Sequence, residues 1–147
     1  MLKAMKSARL SDTTYALRLE RGDDIHTVVQ EFCAEHTIAN ASLTGIGSIE
    51  NPKLAYYSIE TKQFTERPLD GIFEVTSLLG NVGLLEGKPL NHVHVTLSDS
   101  LMQVYGGHLV SGACSATLEI FLHQYATSFG KQFDDAIGLN VWDFGSH

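Results

Sequence analysis

The sequence predicts an α+β fold, a strand-rich chain with a helix near its start. Long segments alternate apolar and polar residues with period two, which is the signature of half-buried strands. One stretch, residues 24–36, instead repeats its apolar residues at helical spacing. Thirteen glycines against three prolines supply tight turns while leaving strand ladders intact. At 147 residues the chain fits a single domain, residues 1–147, large enough to bury a core without staples.

The elements follow in order. Thr13-Thr14-Tyr15-Ala16-Leu17-Arg18-Leu19-Glu20 alternates, with Tyr15, Leu17 and Leu19 on one face. Arg21-Gly22-Asp23-Asp24 is a turn that can cap a helix over 24–36, whose apolar stripe is Ile25, Val28, Val29, Phe32 and Cys33. His26, Gln30, Glu31 and Glu35 fall on the outer face, with His26 expected in solvent, and His36 falls in the last turn. Residues 39–48 and 52–59 read as two strands, and a short one starts near Phe64. Gly45-Ile46-Gly47 lacks the third glycine and the following helix of a dinucleotide loop, so its glycines signal close strand packing. Residues 71–80 form a further strand, and 114–125 a long one with Ala116, Leu118, Ile120 and Leu122 on one face. The tail is too apolar, with Phe133, Trp142 and Phe144, to be a free end. Residues 126–147 are expected to pack on the domain or on a neighbouring subunit.

The segment with the most chemistry is Leu90-Asn91-His92-Val93-His94-Val95-Thr96-Leu97. As a strand it puts Val93, Val95 and Leu97 on the buried face and His92, His94 and Thr96 on the other. The two imidazoles then stand roughly 6.5 Å apart along the strand, close enough to lean towards one ion. Ser98-Asp99-Ser100 turns the chain, and Met102 to Leu109, with Gly106-Gly107 before His108, can return antiparallel, bringing His108 opposite the pair. Three neutral imidazoles with an open fourth position make a metal site, and zinc suits such donors. A catalytic role would need an acid or base beside the ion. Glu74, Asp99 and Glu119 are the candidates, each with a simpler reading as a turn or strand carboxylate, so no reaction is assigned.

Composition removes other classes. The net charge of −7 disfavours a nucleic-acid surface, because duplex binding rests on Lys and Arg neutralising phosphates. No apolar run approaches the roughly 20 residues that span a bilayer, and no apolar segment follows the two early lysines as a signal peptide requires, so a cytoplasmic protein is expected. Cys33 and Cys114 form no Cys-x-x-Cys unit and read as small buried hydrophobes.

The ordered set Leu19-Glu20-Arg21-Gly22-Asp23-Asp24, Thr44-Gly45-Ile46-Gly47-Ser48, Phe73-Glu74-Val75, Ser77-Leu78-Leu79-Gly80, His92-Val93-His94, Gly106-Gly107-His108-Leu109 and Glu119 resembles the plants and prokaryotes conserved (PPC) domain over about residues 12–125. The resemblance implies a mostly antiparallel or mixed β-sheet flanked by helices, assembled as a homotrimer. It also implies a metal held by the histidines matched here by His92, His94 and His108. Prokaryotic members are often labelled predicted DNA-binding proteins. The Arg-Gly-Arg-Pro core with which plant members grip the minor groove has no counterpart here, so DNA as a partner transfers poorly. A cupin-like metalloenzyme also uses His-x-His, but it adds a glutamate where this chain offers only Asp99. The chain also departs from the PPC pattern: Ser98-Asp99-Ser100-Leu101-Met102 lacks the Asp-Gly of the family hairpin, which predicts a wider turn before His108.

Overall fold

The computed structural model describes residues 5–145, so the first four residues and the last two of the tail lie outside it. The strands are β1 (Lys6–Arg9), β2 (Thr14–Glu20), β3 (Ala41–Ser58), β4 (Gln63–Pro68), β5 (Ile72–Leu85), β6 (Lys88–Ser98), β7 (Val104–Gln124), β8 (Gly130–Asp134) and β9 (Leu139–Asp143). A single helix, α1 (Ile25–Glu35), follows β2. The architecture is one domain with a mixed sheet and one helix among the described residues, rather than a sheet flanked by several. The missing helices are strand: no other segment carries helical periodicity, and the tail forms a hairpin instead.

Strand β3 pairs with β5 and β7, and β6 also pairs with β5 and β7, so the four strands close a ring of hydrogen bonds. Inside the ring lie Leu43, Ile49, Val75, Leu78, Val93, Leu97, Leu109 and Leu118, all buried. Helix α1 completes this core with Ile25, Val29, Phe32 and Cys33. Asp24 starts the helix as predicted: its side chain accepts from the Thr27 backbone N–H at 2.9 Å.

Two predicted strands, 39–48 and 52–59, are one long strand. It bends at Asn51, which takes φ 47° and whose side chain accepts from Gly71 N. Residues 71–80 likewise continue to Leu85. The glycines of the rejected dinucleotide loop serve close packing. A Cβ on Gly45 would stand 2.8 Å from the Glu119 carbonyl oxygen, and one on Gly47 2.2 Å from that of Thr117.

The tail doubles back over the outer face. Asn40, 1% exposed, holds its beginning: Oδ1 accepts from Phe129 N at 2.8 Å and Nδ2 donates to the Phe129 carbonyl at 3.1 Å. Gly130 then bridges to Leu84, and the β8–β9 turn reaches the β3–β4 hairpin. There Lys62 Nζ donates to the Asp135 carbonyl at 2.6 Å and Tyr57 donates to that of Ile137. No helix among the described residues is long and apolar enough to cross a membrane.

Candidate metal centre

The β6 strand places its histidines by burying everything between them. Val93 is 0%, Val95 3% and Leu97 0% exposed, while His92, His94 and Thr96 face outward. Each inward side chain is worth about 1.5–3 kcal/mol of apolar burial. A one-residue slip would exchange them for imidazoles, so the core fixes the side on which the rings emerge.

The turn solves the missing glycine with a side chain. Asp99 Oδ1 accepts from the N–H groups of Leu101 and Gln103, both at 2.9 Å, and Met102 adopts φ 62° in place of glycine. The wider turn leaves the register intact, and His108 falls directly opposite His94. The glycines before it admit neighbouring backbone: a Cβ on Gly107 would lie 3.1 Å from the Ala55 carbonyl oxygen.

The three rings are gathered. Their centroids are 4.9 Å apart for His92–His94, 5.1 Å for His92–His108 and 5.6 Å for His94–His108. One nitrogen from each lies within 4.8 Å of the others. The Nε2 atoms of His92 and His94 are 3.1 Å apart. Two donors on a tetrahedral ion with bonds of about 2.0–2.1 Å sit about 3.3 Å apart, so this pair has the edge length of such a polyhedron. The donor set, three imidazoles with no carboxylate, fits zinc-type chemistry.

Electrostatics keep the lone pairs free. The pKa of His92 is lowered from 6.5 to about 4, first by lost solvation among the crowded rings, then by repulsion from His108, His94, Lys131 and His26. His92 still reaches solvent at its outer edge. His108 is lowered too, again first by burial. Neutral imidazole is the metal-binding form.

The carboxylates considered as acid or base do not converge here. Asp99 is engaged in its own turn, and its Oδ2 accepts from Tyr105 OH at 3.3 Å. Glu74 pairs with Ser98, four residues along β6 from His94 and thus roughly 13 Å away. Glu119 lies eleven residues along β7 from His108, beside Arg18 on β2.

Three neighbours escaped sequence reasoning. His26, expected in solvent, is half-buried and donates from Nε2 to the Leu109 carbonyl at 2.9 Å, because α1 packs against β7 beside the site. Asn81 pairs with His92 across β5–β6. Lys131 arrives from the tail, where no periodicity announces it.

Comparison with known proteins gives this geometry a context. The family model described as the Plants and Prokaryotes Conserved (PCC) domain matches residues 6–126. The chain belongs to the PPC family. A PPC protein of Pyrococcus horikoshii is 31% identical, with a TM-score of 0.83 over 100% of this chain and 99% of that one. A metal-containing protein of Archaeoglobus fulgidus is 32% identical, with a TM-score of 0.81 over 96% of this chain and 99% of that one. A Ralstonia eutropha protein provisionally named as DNA-binding is 26% identical, with a TM-score of 0.84 over 92% and 94% of the two chains. No curated protein matches. The PPC match ends at residue 126, so Lys131 and the hairpin that carries it lie beyond the matched domain.

Proposed function

We propose that this chain is a homotrimeric, cytoplasmic metal-binding module in which His92, His94 and His108 hold one zinc ion. One observation carries the reading: three imidazoles gather on one outward patch, with ligand atoms within 4.8 Å of each other. The similarity to a metal-containing Archaeoglobus protein supports it. Bound there, zinc would supply a Lewis acid and a link between β6 and β7. The protein's own residues hold neutral rings in place, and no carboxylate stands beside them, so the reading assigns binding rather than a reaction.

The trimer is supported by an apolar outer surface next to the site. Ile46, Leu79 and Phe121 are 61%, 59% and 58% exposed and line one open groove of about 710 Å³. Leu79 pairs with His94, so the groove adjoins the histidine patch. Contiguous exposed apolar surface of this kind is characteristic of subunit contacts. The free, buried thiols of Cys33 and Cys114 suit a reducing compartment.

The test is elemental analysis and native mass on one sample of untagged protein. The reading predicts about one zinc per chain and three times the chain mass, with zinc lost in His92→Ala/His94→Ala. Unchanged metal content in the double variant would sink it.

A second reading, DNA binding, is favoured by the provisional name of the Ralstonia protein. The charge distribution opposes it. Besides the net charge of −7, Lys6, Arg9, Arg18 and Lys53 each lie within 4.0 Å of a carboxylate. Duplex affinity that falls steeply with salt would favour this reading, and no binding at low salt would remove it.

A further inference from the structure

The tail hairpin brings a cation to the histidine patch. Lys131 runs over Gly83, with its Cε 3.2 Å and its Cγ 3.5 Å from where a glycine Cβ would stand. Alternation along β5 puts Gly83 on the same outward face as Asn81, and Asn81 pairs directly with His92. The lysine stem therefore lies along the face that carries the rings. Among the described residues no carboxylate, carbonyl or hydroxyl partners its ammonium, although the side chain is half-buried.

A second unsatisfied group stands beside it. Asn81 Oδ1 is buried and has no hydrogen-bond partner. Directly opposed side chains on antiparallel strands have Cβ atoms about 4.5–5.5 Å apart, so the Asn81 and His92 side chains are neighbours on this face. A buried acceptor left unpaired is costly and calls for a donor.

With three neutral ligands, a divalent ion and an ammonium leave the pocket carrying three positive charges with no acidic side chain to offset them. We infer that Lys131 and Asn81 complete a subsite for a small hydroxyl-bearing oxyanion at the open metal position. One anion oxygen would face the metal, a second would accept from Lys131 Nζ, and the anion's O–H would donate to Asn81 Oδ1. Hydrogen phosphate and hydrogen carbonate share this chemistry, whereas acetate lacks the hydroxyl. The inference rests on the metal reading above and extends it to the ligand class.

The test uses the full chain loaded with cobalt(II), whose visible bands report the fourth ligand. Inorganic phosphate, bicarbonate and acetate are titrated in turn against wild type, Lys131→Gln and Lys131→Arg, with cobalt content measured for each. Wild type should bind phosphate or bicarbonate more tightly than acetate. Lys131→Gln should weaken the favoured anion by about tenfold or more, the worth of one charge-assisted hydrogen bond, while Lys131→Arg stays closer to wild type. Equal cobalt content with equal anion affinity in Lys131→Gln overturns this inference alone. Acetate binding as tightly as the other two overturns the role of Asn81. Wild type that takes up no cobalt at the histidines removes the metal reading and the subsite together.

Discussion

Gly80→Ala tests how closely β5 must approach the histidine strand. Gly80 pairs with Val93, between the Asn81–His92 and Leu79–His94 pairs. An added Cβ would stand 2.6 Å from the His92 carbonyl oxygen and 3.0 Å from Val93 Cγ2. Ordinary contact begins near 3.4 Å, about 0.8 Å further out, and two hydrogen-bonded strands cannot yield that by a rotamer change. Overpacking of this kind costs about 1–3 kcal/mol. At a urea slope of about 2 kcal/mol/M, a loss of 2 kcal/mol lowers the unfolding midpoint by about 1 M. Because the displaced atom belongs to His92, zinc affinity should fall as well, by about tenfold, as when the support of a ligand is disturbed. Gly112→Ala is the control. Its Cβ would find nothing closer than 3.5 Å, and the substitution should be neutral or stabilising by up to about 1 kcal/mol. Both are read by urea unfolding at one fixed protein concentration, with zinc affinity from competition with a chelating dye. A Gly80→Ala midpoint equal to that of wild type would refute the steric argument.

Three further outcomes are expected. Asp24→Ala removes the cap that accepts from Thr27 N and should cost about 1 kcal/mol in urea unfolding, with zinc content unchanged. Burial pushes the Cys33 thiol up to about 12 and Cys114 up to about 11, so a colourless-to-yellow disulfide reagent at pH 8 should label neither until the protein is denatured. In the metal-free protein, His92 titrates near 4 when folded and near 6.5 when unfolded. The unfolded chain therefore binds more protons between these values, and stability should fall as pH drops from about 6.5 to about 4. His92→Gln should flatten that slope in a series of urea melts, and an unchanged slope would show that other groups govern it.

Much of the site was legible because strand periodicity is a local property. Alternation along β6 alone assigned Val93, Val95 and Leu97 to the core and His92 and His94 to the opposite face, and the burial follows it. The Asp24 cap and the apolar stripe of α1 were equally local, being set by residues three and four apart. The family resemblance rested on motifs in order, and the match over residues 6–126 agrees with it. The merging of two predicted strands into β3 was less visible, since the bend at Asn51 reads in sequence as a break.

What the sequence by itself determined is which side chains share a strand face, because that depends only on the two-residue pleat. What the tertiary structure decided is which faces meet. The Asp99-capped turn set His108 opposite His94, α1 turned His26 to the Leu109 carbonyl, and Asn40 anchored a tail that carries Lys131 over Gly83. The turn joins residues only 14 positions apart, but the other two placements and the Lys131–Gly83 contact join residues about 50 to 90 positions apart in the chain. No periodicity encodes such distances; they follow from closing the ring of β3, β5, β6 and β7 around one apolar core.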